Sequence, residues 1–166
     1  MSWFNGINED GNLEVNAAHF DGLPNIEENT LMRIIVDEKE RMVIFRKRLF
    51  RKEEKDQDIL LSFDQILGAG FITRSKLVKK SVVGRAFVGS LFFGDTGTIL
   101  GIMSGQGKKK KKELCFAISY SDSFGDNRLL LFDDTISHPK ALPKRLNEIA
   151  KINHPAVERK EGPIRL

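Results

Sequence analysis

The chain is short of several things that would define a function outright. Its 166 residues hold one cysteine, Cys115, so no intramolecular disulfide can form and a disulfide-stapled secreted scaffold is excluded. Cys115 lies in an apolar alternating run beside Leu114 and Phe116, where a small buried thiol is the ordinary outcome. There is one tryptophan and one tyrosine, too few beside basic groups for the stacking platform that single-stranded nucleic acid needs, so nucleic acid ranks last among partners. The first twenty residues have no apolar run. We therefore expect neither a signal peptide nor an anchor there, and a cytoplasmic location.

The three histidines, His19, His138 and His154, are far apart, and no Cys or His falls at metal-ligand spacing, so no metal is expected. Ser104-Gly105-Gln106-Gly107-Lys108 has the wrong residues for a phosphate-binding loop, with Ile102 and Lys109 where glycine and a hydroxyl are required. Gly68-Ala69-Gly70 lacks the third glycine of a dinucleotide fingerprint and reads as a turn between strands. Asp133-Asp134, and Asp122 with Asp126, flank hairpin ends, where aspartate stabilises turns. The sequence therefore predicts no catalytic residue, no cofactor, no small-molecule substrate and no enzyme activity.

What is present is a globular composition, 40% hydrophobic and 30% charged, of a size suited to one domain. The formal charge of +4 is modest, and much of it sits in Lys108 to Lys112. Residues 1–29 are polar and lack a sustained period, and read as an arm. Leu31 to Val36 and Arg41 to Phe50 are rich in β-branched and apolar residues around a charged turn, a hairpin signal. Ile59 to Ile66 and Gly70 to Val78 read as two more strands. Glu113 to Tyr120 and Arg128 to Phe132 read as a second hairpin around the turn at Asp122 to Asn127. Leu142, Leu146, Ile149 and Ile152 recur at helical spacing, which places a helix from about Pro143 to Asn153. The tail, 154–166, reads as loose.

Antiparallel strands followed by one amphipathic helix is the order of a pleckstrin-homology-like bent β-sandwich. Six strands are visible and that fold needs seven, so the sequence places the seventh between Ser81 and Gly107. On this reading residues 30–153 are the domain, and 81–112 are a glycine-rich apolar hairpin insertion ending in lysines.

Lys80-Ser81-Val82-Val83-Gly84-Arg85-Ala86-Phe87-Val88-Gly89-Ser90-Leu91-Phe92-Phe93-Gly94, followed by Gly97, Gly101, Met103-Ser104-Gly105 and the lysine run, resembles a pattern in uncharacterised bacterial and phage proteins of the pleckstrin-homology or GRAM-like kind. The resemblance implies a binding module, in a phage or prophage setting, and supplies no catalytic residues. Val82 to Met103 contains five glycines with Arg85 and Asp95. Each of those charges costs about 2.5–3.5 kcal/mol at a bilayer centre, which argues against spanning.

Gly97, Gly101 and Gly105 recur every fourth residue, which on a helix makes a strip for close approach. With Leu91, Phe92, Phe93, Ile99 and Leu100 they are the candidate partner-binding residues, for a protein partner or for self-association into an oligomer. A host protein, including a defence factor, is the partner that a phage setting suggests. The alternative target is an anionic lipid or other anionic ligand, held peripherally by Lys108, Lys109, Lys110, Lys111 and Lys112, each worth up to about 1 kcal/mol at an anionic leaflet.

Overall fold

A computed structural model of the chain describes residues 6–48, 57–73 and 114–153. They form one antiparallel seven-stranded sheet and a C-terminal helix. The strands are β1 (Leu13–Asp21), β2 (Leu31–Asp37), β3 (Met42–Lys47), β4 (Ile59–Ser62), β5 (Ile66–Thr73), β6 (Leu114–Ser121) and β7 (Asn127–Asp133), and the helix is α1 (Ala141–Asn153). Their spatial order is β4-β3-β2-β1-β7-β6-β5. Neighbours in sequence are thus neighbours in the sheet except β4 and β5, which lie at its two edges, and β1 pairs β7 to join the two halves.

The period of two is regular in the first half. Val15 and Ala17, then Ile34 and Val36, then Val43 and Phe45 point inward and are buried. Glu14 and Asn16, Arg33 and Ile35, and Ile44 and Arg46 take the other face. The second half supplies Ile66, Ala69, Phe116, Ile118, Leu130 and Phe132 to the same core. Phe132 lies at its centre, stacked on Phe45 with ring centroids 5.9 Å apart, and 6.3 Å from Phe116. Fully burying a side chain of this size contributes about 1.5–3 kcal/mol.

The expected arm at 1–29 is corrected here, because its residues 13–21 are β1, hydrogen-bonded on both sides at the middle of the sheet. The seventh strand of the described sheet is therefore N-terminal to the six expected ones, not in 81–107. The run from Ile59 to Ile66 is broken by a 3-10 turn, Phe63–Gln65. Ser62 caps it, its hydroxyl accepting the Asp64 N–H while the Gln65 side chain accepts the Ser62 N–H. This turn, not Gly68-Ala69-Gly70, links β4 at one edge of the sheet to β5 at the other. Those three residues are interior to β5.

Helix α1 begins at Ala141, with Pro143 in the first turn, where its missing N–H costs no bond. Leu142, Leu146, Ile149 and Ala150 are buried, while Ile152, expected on the same stripe, is 71% exposed. The helix lies over β5 and the 3-10 turn. Asn153 Nδ2 donates to the Phe63 carbonyl at 2.7 Å and ties its last turn down.

His19 is a buried strand residue, 3% exposed. Its Nε2 accepts the Leu23 N–H at 3.1 Å, so the proton of the ring sits on Nδ1, which donates to the Glu27 carbonyl at 3.1 Å. One ring thus satisfies two backbone groups of the β1–β2 connection. His19→Leu leaves the Leu23 N–H unpaired at a cost of about 1–3 kcal/mol, while the Glu27 carbonyl keeps the Thr30 N–H. The expected result is a melting temperature several degrees lower, with faster amide exchange at Leu23. Unchanged exchange at Leu23 would contradict this role.

Candidate functional site

The outward face of β1, β2 and β3 is the floor of a groove of about 670 Å³. The loop Gly6–Asn12 forms one wall and Ser137 with His138 closes an end. The loop is shaped by Asn8, whose Oδ1 accepts the N–H groups of Asp10 and Asn12, each at 3.0 Å, and whose own N–H donates to the Asn12 carbonyl. Its amide Nδ2 reaches back to Glu14 Oε2 at 3.2 Å, fixing the wall to the floor. The end wall is fixed by Asn16, whose N–H donates to Ser137 Oγ at 2.8 Å while its carbonyl accepts the Ser137 N–H. Gly6, at φ +69°, lies against the His138 ring so closely that a Cβ would come within 2.8 Å of Cδ2.

Two arginines stand on the floor. Arg46 makes a two-pronged contact with Asp58 at 2.8 and 2.7 Å. That hydrogen bonding holds the Asp58 carboxyl below its ordinary range and raises the Arg46 guanidinium. Arg33 Nε lies 3.0 Å from Glu14 Oε1, an ion pair without the alignment of a hydrogen bond. The Arg46–Asp58 pair is partly exposed, and such pairs contribute only about 0–1 kcal/mol to stability. Arg33 and Arg46 face each other across the β2–β3 ladder and Ile35 and Ile44, the pair two residues along, add apolar floor beside them, while Glu9, Asp10 and Asp37 add acids to the lining. Groups of both signs, amides and a strip of aliphatic surface are what an extended polypeptide meets in a recognition groove.

The candidate residues named from the sequence, Leu91, Phe92, Phe93, Gly97, Ile99, Leu100, Gly101, Gly105 and Lys108 to Lys112, lie outside the described residues. Thr73 of β5 and Leu114 of β6, between which they fall, are directly paired. Cys115 is buried and forms no disulfide. Asp122 serves its turn: its Oδ1 accepts the N–H groups of Phe124 and Asp126, each at 2.9 Å, and its Oδ2 the Arg128 Nε at 2.7 Å. The Arg128 bond holds the Asp122 carboxyl below its ordinary range. Among the described residues no group of His, Cys, Asp and Glu could hold a metal ion, and no helix is long and apolar enough to cross a membrane.

Sequence reasoning missed the groove. The one signal was the alternation Glu14-Val15-Asn16-Ala17 after a turn-forming Asn8-Glu9-Asp10-Gly11. No protein-family model, curated protein or solved structure matches the chain.

Proposed function

We propose that the chain is a non-catalytic binding module of pleckstrin-homology-like architecture that engages a partner protein through the groove on β1, β2 and β3. The groove is the observation that carries this reading. It is wide and open, its walls are tied to the floor by backbone and amide bonds, and its arginines are held in place by carboxylates before any partner arrives. The strand order and the helix laid over one end of the sheet support the architecture. In the phage or prophage setting that the sequence resemblance implies, the partner is a host protein. The glycine-rich residues between β5 and β6 remain a candidate second contact, and the lysine run a candidate contact for anionic lipid.

The test is capture from a bacterial lysate on the immobilised chain, identification of the retained protein, and titration of that protein against variants. Arg46→Ala removes a central arginine and Asn16→Arg fills the groove, and neither alters the core. An arginine anchor costs about 2 kcal/mol or more on truncation, a loss of about 30-fold in affinity. Undiminished binding by both variants, or retention of anionic vesicles with no protein, would overturn the reading.

A further inference from the structure

The groove on β1, β2 and β3 changes character along its length. Asn16 faces Arg33, which faces Arg46, and two residues along Glu14, Ile35 and Ile44 make a second row across the same three strands. Asp37, two residues beyond Ile35, ends β2. The wall is a small hairpin of its own: Ile7 bridges Leu13 and the Asn8 N–H donates to the Asn12 carbonyl, so Glu9 and Asp10 fall at its tip. Leu13 faces Val36, which puts that tip at the Asp37 end of the groove.

The charges follow the same order. Four carboxylates line the groove, Glu9, Asp10, Glu14 and Asp37, against the two guanidiniums, so its lining is net negative in a chain of formal charge +4, with histidine counted as neutral in both. Both arginines are already met. Glu14 lies against Arg33, and Arg46 spends Nε and Nη2 on Asp58, which is not part of the lining. No ion pair among the described residues engages Glu9, Asp10 or Asp37. The acidic end therefore keeps its negative charge, while the arginine end has little positive charge left to offer an acid.

We propose that the segment of the partner that enters the groove is extended and basic, with its lysine or arginine side chains over Glu9, Asp10 and Asp37 and its backbone carbonyls toward Arg33 and Arg46. This rests on the reading of the groove as the partner site and names the chemistry that the site selects. An acidic segment would have to displace Glu14 and Asp58 to reach the arginines, and would meet three further carboxylates of its own sign. A basic segment displaces nothing and brings the charge that the acidic end lacks. Ile35 and Ile44, between the two ends, suit the aliphatic stems of long basic side chains.

Calorimetric titrations of the full chain with hexalysine and with hexaglutamate test this, beside Asn16→Arg, Arg46→Ala and the double variant Glu9→Gln with Asp10→Asn. The double variant removes two charges from an exposed tip and leaves in place the hydrogen bonds of the turn, which run through Asn8. The positive charge of the chain as a whole works against hexalysine, so its binding reports a local acidic site. The expected result is that hexalysine binds the wild type, less tightly as salt rises, about fivefold more weakly to the double variant, and not to Asn16→Arg. Absence of hexalysine binding to the wild type overturns the proposal, as does equal binding by the double variant, or hexaglutamate binding that Arg46→Ala abolishes. The groove reading is judged separately. If a lysate protein is lost on Asn16→Arg while hexalysine never binds, the groove stands and only the basic segment fails. If hexalysine binds the wild type and Asn16→Arg alike, both fail.

Discussion

Leu146→Asp is expected to leave the chain unfolded at room temperature, with the helical signal and the cooperative melt both lost. Leu146 is fully buried on the face of α1 that meets the core, in one cluster with Ile66, Phe116, Leu142 and Ile149. The substitution removes about 1.5–3 kcal/mol of apolar burial. It also asks a carboxylate to desolvate with no cation or donor placed to meet it, which costs several kcal/mol more. A domain of this size is stable by only about 5–15 kcal/mol, and the sum reaches the lower part of that range. Leu146→Ala, which leaves a cavity and no charge, should cost about 2–5 kcal/mol and remain folded. Circular dichroism melts of the two variants check the order. An Asp variant that melts within a few degrees of wild type would mean that the helix does not close the core.

The elements legible in the sequence are those where one signal dominates. The β2–β3 hairpin shows as two β-branched runs around Asp37-Glu38-Lys39-Glu40, and its turn is built as that composition suggests. Asp37 Oδ1 accepts the N–H groups of Lys39 and Glu40, and Arg41 takes a positive φ of 54°. The helix shows because Leu142, Leu146 and Ile149 repeat at its period. Ile152 continues that spacing beyond the core and is largely exposed.

Strand β1 was hidden because its inward positions are Val15, Ala17 and His19, a weak hydrophobic signal, although the strand is paired on both sides. His19 fits there only because two backbone groups meet its ring nitrogens, a match made by residues several positions later. Gly68-Ala69-Gly70 looks like a turn locally. It is strand because the capped turn at Phe63–Gln65 has already carried the chain from β4 to the other edge of the sheet and because Asn147, far along the sequence, bonds Ala69. The groove draws on residues 6–16, 33–46 and 137–138, and no window of sequence contains more than one of its walls.

Gly22→Ala should be the most damaging of the glycine substitutions in the described loops. Gly22 follows β1 at φ +102°, a backbone conformation that L side chains rarely adopt. It stands where the β1–β7 pairing shifts register between His19 and Asp21. A Cβ added there would fall on the Leu129 carbonyl oxygen, with the Leu130 Cα 3.1 Å away. Both obstacles are backbone of β7, which cannot swing aside as a side chain would. The backbone strain costs about 1–3 kcal/mol and the steric conflict about 1–3 kcal/mol more. Gly11 and Gly125 separate the two contributions. Each has φ +83° and nothing within 4 Å of an added Cβ, so Gly11→Ala and Gly125→Ala carry the strain alone. Thermal melts of the three variants should place Gly22→Ala well below the other two, which should lie together. Three equal melting temperatures would show that β1 and β7 can separate at Gly22 without cost, and that the junction between the two halves of the sheet is not held by this close approach.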